Sequence, residues 1–129
     1  MMNNLFIQKS FSLSSSIRKM NRNAQKTLIV VDSSNKLLGI LSDGDIRKSI
    51  ISGKKLSDKI ADIYNKNPYY VFDGKFILDN LKEVFLKKKY NLIPVLNKKL
   101  IIKKIITWDD VFNDQKKINK KQIKGVPVV

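Results

Sequence analysis

What most constrains this chain is an internal repeat. An offset of 65 residues, which carries Ser42 onto Thr107, lays the second half over the first with no insertion between strand pair and helix start. Val31-Asp32 falls on Leu96-Asn97, Ile40-Leu41 on Ile105-Ile106, Asp45 on Asp110 and Ile46 on Val111. Upstream, Leu13 meets Leu78 and Met20 meets Phe85. Chance can give one hydroxyl-x-x-Asp; it is a poor account of two, each ending a β-hairpin that follows an amphipathic helix. Each unit is too small to bury its sheet face alone, so the two are expected to pack about a pseudo-two-fold axis. Their strand-to-helix corners then face the cleft between them.

The first corner is the better formed. An apolar run, Leu28-Ile29-Val30-Val31, is followed by a polar turn, Asp32-Ser33-Ser34-Asn35-Lys36, and then by Gly39-Ile40-Leu41-Ser42-Asp43-Gly44-Asp45-Ile46. Ile46, Ile50 and Ile51 continue on one side of a helix, Arg47 and Lys48 on the other. This reads as strand, turn, strand and helix N-terminus. Unpaired N–H groups at a helix start favour an anion such as phosphate. An ionised carboxylate beside them only accepts hydrogen bonds, which suits the hydroxyls of a ribose. Ser42-x-x-Asp45 is equally the spacing of a capping box, in which hydroxyl and acid tie off the first helical turn. The residues of one corner leave both readings standing; the second corner favours a shared site.

In chain order, Met1 to Asn4 is expected to be an unstructured start and Leu5-Phe6-Ile7 a short strand. Leu13, Ile17 and Met20 mark a helix with Ser12 and Ser14 to Ser16 available as caps. Gly53 closes the helix that runs from Asp43 to Ser52. A short helix from Ser57, with Ile60, Ile63 and Tyr64 inward, breaks before Pro68. Tyr69 to Phe72 reads as a strand and Asp73-Gly74 as its turn. Leu78, Leu81, Phe85 and Leu86 mark a helix ending in Lys87-Lys88-Lys89. Asn91 to Leu96 is a strand whose Pro94 implies a sheet edge, or a place where something other than a strand approaches. Leu100 to Ile106 is the last strand, running into a helix start at Thr107. The fold class is α/β (α+β): two tandem β-α-β-β-α units over residues 1–66 and 67–114. Residues 115–129 form a basic linker, polar and lysine-rich from Gln115 to Gly125.

Composition narrows the chemistry. There is no cysteine and no histidine, which removes disulfides, thiolate nucleophiles, zinc–sulfur sites and the commonest general base. Catalysis by the chain alone is not expected, and a reducing, cytoplasmic setting fits. The formal charge of +15 attracts polyanions and free nucleotides alike. Against a dedicated nucleic-acid surface stands the scarcity of arginine, found only at Arg18, Arg22 and Arg47, with lysines scattered over most expected surfaces. No apolar run approaches the ~20 residues of a membrane span.

The duplicated corner resembles a known family, the cystathionine-β-synthase (CBS) domain pair, or Bateman module. Its pattern is glycine, two mostly apolar residues, Thr or Ser, two variable residues, then Asp. Gly39 to Asp45 satisfies all of it; in the second unit Thr107 and Asp110 match, but Lys104 stands where glycine is expected. The resemblance covers roughly Leu5 to Asp114. It implies a regulatory adenine or guanine nucleotide (AMP, ADP, ATP or a guanine nucleotide), with no cofactor required. Asp45 and Asp110 would take the ribose hydroxyls, Ser42 and Thr107 the phosphate. Ile40, Ile93, Pro94 and Ile105 would flank the base, and Arg47 would reach a β- or γ-phosphate as a fork. Asp43 belongs to the same nucleotide-binding set. Gly39 would let the ligand approach the backbone, while Lys104 fills that space or offers its own charge. Trp108 would stack on a base or pack between repeats. Three or four charged hydrogen bonds, less ordering costs, correspond to micromolar binding. The family also implies homodimers.

Asp43-Gly44-Asp45-Ile46-Arg47-Lys48 further resembles the CBS pairs attached to sugar-phosphate enzymes. A pair at the N-terminus, followed by a basic linker and the apolar Val126-Pro127-Val128-Val129, implies the regulatory part of a bacterial sugar-1-phosphate nucleotidyltransferase. The alternatives are a basic module binding nucleic acid or an acidic protein, or a purely structural dimerisation unit.

Overall fold

A computed structural model of the protein describes residues 2–112. Two three-stranded sheets share one plan: β1 (Phe6–Ile7), β2 (Thr27–Val31) and β3 (Leu37–Ser42), then β4 (Val71–Phe72), β5 (Leu92–Leu96) and β6 (Ile102–Thr107). In each the first pair is parallel and the second antiparallel. Four helices flank them: α1 (Leu13–Met20), α2 (Asp43–Ile51), α3 (Leu81–Lys88) and α4 (Trp108–Phe112). The mixed α+β class and the two-unit plan are as expected.

The repeat is visible in individual hydrogen bonds. Asp32 Oδ1 accepts from the N–H groups of Ser34 and Lys36, and Asn97 Oδ1 accepts from Lys99 and Ile101. These side chains close the same turn in each hairpin. The two turns then meet: Leu37 N–H donates to the Leu100 carbonyl (3.0 Å) and Ile102 N–H to that of Asn35 (3.2 Å). The two bonds exchange under the same 65-residue offset, so the pseudo-two-fold axis runs between the hairpin turns. Both turns also place their equivalent residue in the left-handed region, Asn35 at φ 64° and Leu100 at φ 66°. Asparagine tolerates that conformation; leucine does so at a cost of about 1–2 kcal/mol. Leu100 is 40% exposed and its bonds are made by the backbone. Leu100→Asn is therefore expected to raise the unfolding free energy by about 0.5–1 kcal/mol, read from the urea midpoint.

Strand alternation divides the core into three layers. Leu28 and Val30 of β2 face α1 and α2 with Leu13, Met20, Leu41 and Ile46. Ile29 and Val31, pointing the other way, meet Leu92, Leu96 and Ile102 of the second sheet. Beyond it Ile93, Val95 and Ile106 face α3 and α4 with Leu81, Phe85 and Val111. Burial on both faces is why β2 and β5 read as unbroken apolar runs rather than alternating ones.

Several expectations change. Met2–Leu5 is a 3₁₀ turn rather than an unstructured start, and β1 is only two residues long. The helix expected from Ser57 is a single 3₁₀ turn, Ile60–Asp62. The chain around it instead runs as an extended strap, Leu13 N–H donating to the Asp58 carbonyl (2.8 Å) and Ile60 N–H to that of Phe11 (2.9 Å). Leu86 faces solvent. Pro94 is not on an edge strand: β5 is the middle strand. Its pairing with β4 begins one residue later, at Val95. Gly53, at φ 105°, follows the cap Ser52. The linker and the apolar tail lie outside the described residues. Among the described residues no helix is long and apolar enough to cross a membrane.

Candidate functional site

At the first corner the chain passes from β3 into α2 through Ser42. Its Oγ accepts from the Asp45 N–H (3.1 Å), and Asp45 Oδ2 accepts from the Ser42 N–H (3.0 Å). This is the reciprocal capping box, formed with Asp in place of the usual Glu. It does not exhaust the corner. Among the described residues, the box uses one carboxylate oxygen of Asp45 and one acceptor position of Ser42. The other oxygen, with its lone pairs, and the hydroxyl proton are available to a ligand. The capping and binding readings are therefore compatible.

Beside the corner is a cleft of about 310 Å³, at the small end of the roughly 300–1,000 Å³ usual for ligand pockets. Thr27, Ile40, Ser42 and Asp45 from the first unit face Tyr69, Lys89, Tyr90 and Asn91 from the second. Tyr69 and Tyr90 lie nearly parallel, ring centroids 5.7 Å apart and 18° between planes, presenting an aromatic platform. Lys89 supplies the cation, on a residue held at φ 55° by the C-cap of α3. At the junction of the units, Asn91 Nδ2 donates to Thr27 Oγ1 (2.8 Å), which itself donates to the Gln25 carbonyl (3.1 Å). A ligand here touches both repeats.

Of the residues expected at the site, Ile40, Ser42 and Asp45 line this cleft and others do not. Gly39 is buried because Tyr64 and Asn65 of this chain cross it, Asn65 and Ile40 exchanging backbone bonds at 2.8 and 3.0 Å. The close approach is made by the strap, not by a ligand. Asp43 and Arg47 pair with each other on the outer face of α2 at 3.6 Å, both well exposed. Ile93 is fully buried against α3, and Pro94, paired with Ile105, is buried without lining the cleft. Sequence reading missed Thr27, Tyr69, Lys89, Tyr90 and Asn91. The repeat pairs each corner with the opposite unit, and that was the signal for them.

The second corner is built differently. Thr107 donates both its N–H (2.8 Å) and its hydroxyl (3.2 Å) to Asp110 Oδ2, so its proton is committed to its own motif. Thr107, Ile105 and Lys104 line a second cleft of about 550 Å³, and Asp110 does not. Lys104 places its ammonium 5.7 Å from the centre of the Phe76 ring. Trp108 packs on Phe85 and Phe112 and, with Ala24, Gln25 and Thr107, lines a smaller pocket of about 290 Å³ beside the second cleft. Among the described residues no group of acidic side chains could hold a metal ion.

Residues 1–52 match the family model of the CBS domain. The chain is 31% identical over 96 residues to the carnitine transport ATP-binding protein OpuCA of Listeria monocytogenes, covering 74% of this chain and 23% of that protein. It is 32% identical over 103 residues to inosine-5'-monophosphate dehydrogenase of Nitrosopumilus maritimus, covering 79% and 20% respectively. The chain thus spans under a quarter of either protein. Among solved structures it is similar to CBSX2 in complex with AMP, with a TM-score of 0.75, 22% identity and 91% of both chains covered.

Proposed function

Because residues 1–52 match the CBS domain and the two-sheet fold is that of CBS-domain pairs, we propose that this chain is a regulatory module that senses a purine nucleotide in its first cleft. The units are residues 1–66 and 67–114, and residues 115–129 join them to a catalytic domain. The observation that carries this reading is that Ser42 and Asp45 open onto a cleft whose other wall, Tyr69, Lys89 and Tyr90, belongs to the opposite repeat. The base stacks on the tyrosines, the ribose hydroxyls donate to Asp45, and the phosphate accepts from Ser42 and Lys89. AMP, bound in the structural relative CBSX2, supports an adenine nucleotide; a guanine nucleotide fits the same chemistry.

A ligand that touches both units favours the arrangement in which they are closed together, and only that difference in affinity can be passed to an attached domain. Asp43 to Lys48 supports a sugar-1-phosphate nucleotidyltransferase as that domain. Two such modules would associate as a homodimer. The test is thermal melting with AMP, ADP, ATP, GTP and CTP at about 1 mM. Purine nucleotides are expected to raise the melting temperature by roughly 3–8 °C, as binding ten- to a hundredfold below that concentration requires. Asp45→Ala lowers the baseline by about 1 kcal/mol through its lost cap, so the ligand-induced increment is the quantity to compare, and it should vanish. An increment surviving intact in Asp45→Ala, or none for any purine nucleotide, would remove this reading.

A further inference from the structure

The 65-residue offset relates five wall positions of the two clefts, and at three of them, Tyr69/Asn4, Lys89/Ala24 and Tyr90/Gln25, the chemistry differs. Tyr69 and Tyr90, the aromatic platform of the first cleft, become Asn4 and Gln25 in the second. The Asp45 carboxylate has no counterpart there, since Asp110 lies outside the lining and engages Thr107. Leu38, packed against the first core, becomes Lys103. Lys103 is the extra residue of the β-bulge between the Val95–Lys104 and Leu96–Ile102 pairs, a device that re-aims a side chain. Arg22 completes the wall. Among the described residues no carboxylate lines this cleft.

The cleft thus lacks both an aromatic stacking surface for a base and a carboxylate acceptor for ribose hydroxyls. It holds three cations, Arg22, Lys103 and Lys104, three side-chain amides and no opposing charge. We infer that the second cleft, about 550 Å³, is a site for a base-free polyphosphate, held by Arg22 and Lys103 with Asn4 and Gln25 donating to its oxygens. Arginine forms forked bonds to phosphate oxygens and lysine adds a point charge. The amides supply further donors without repelling the ligand. Inorganic tripolyphosphate and the phosphate tail of a nucleoside triphosphate share this chemistry. The site does not depend on nucleotide binding in the first cleft.

The experiment is titration calorimetry of the whole chain with sodium tripolyphosphate at about 50 mM salt, with adenosine and ATP as parallel ligands. Tripolyphosphate is expected to bind, and adenosine to leave this site empty. Arg22→Gln/Lys103→Gln should weaken tripolyphosphate about tenfold or more. Asp45→Ala should not change it, which separates this site from the first cleft. Binding of ATP that falls with the double variant identifies the phosphate tail as a source; ATP unaffected by it leaves inorganic polyphosphate. Lys54→Gln/Lys98→Gln, removing two exposed charges elsewhere, controls for attraction by net charge. Equal loss in that control would overturn the assignment, as would wild-type affinity in the cleft variant. A single-stranded oligonucleotide binding more tightly than tripolyphosphate, and weakened by the same cleft variant, would also overturn it in favour of nucleic acid.

Discussion

Gly39→Ala is expected to lower the unfolding free energy by about 3 kcal/mol, at the top of the range for overpacking. A methyl group there would sit inside the contact distance of the Asn65 carbonyl oxygen and the Tyr64 ring, with Tyr64 Cε2 only 2.7 Å away. Backbone cannot yield as a flexible side-chain tip does. Either β3 shifts against β2, disturbing a fully buried strand, or the strap carrying Tyr64 and Asn65 lifts away. Lifting breaks both backbone bonds between Ile40 and Asn65 and takes Asn65 out of the first cleft's wall. Urea denaturation gives the cost, and hydrogen exchange at the Ile40 and Asn65 amides tells the two routes apart. The reverse change in the second unit supplies the comparison. Lys104 occupies the equivalent position, exposed and resting on Phe76, so Lys104→Gly should cost under about 1 kcal/mol. A Gly39→Ala midpoint equal to wild type would mean that the strap does not cross β3.

The contrast between Gly39 and Lys104 also shows where sequence reading stops. The repeat was legible because its determinants are local. Asp32 and Asn97 close equal turns, Ser42 and Thr107 end equal strands, and Met20 and Phe85 fill equal core positions. What crosses a strand, or lines a cleft from the other unit, is not local. Gly39 looked like an opening for a ligand because nothing in its neighbourhood announces Tyr64, twenty-five residues on. Tyr69 and Tyr90 read as strand and post-helix residues, and only the packing of one sheet on the other brings them to Ser42. Arg47 fails for a related reason. Its place one turn into α2 was legible, but the rotation of that helix turns it outward to Asp43. Pro94 was misplaced because β4 is too short to pair along the whole of β5, so a middle strand keeps a stretch where a missing N–H does little harm.

The largest loss of stability is expected from Phe85→Ala, about 3–5 kcal/mol, a substantial fraction of the roughly 5–15 kcal/mol that holds a domain together. Phe85 is fully buried and is the centre of a ring cluster. Trp108 meets it edge-on at 5.8 Å and Phe112 at 6.4 Å, while Trp108 and Phe112 lie 4.4 Å apart. Those two rings belong to α4, described over Trp108–Phe112. Among the described residues its apolar attachment is the ring cluster together with Val111. Removing the Phe85 ring therefore takes away a core side chain and the anchor of α4, and with α4 the Asp110 that fixes Thr107. Trp108 is the sole tryptophan, so its emission reports on this event directly. In Phe85→Ala it should shift to longer wavelength at lower urea than the loss of far-ultraviolet ellipticity. Met20, the matching residue of the first unit, has no aromatic helix to hold. Met20→Ala should cost about 2–3 kcal/mol with the two signals changing together. A Phe85→Ala protein losing under about 1 kcal/mol, or one whose tryptophan emission follows the ellipticity, would show that α4 is held by something other than this ring.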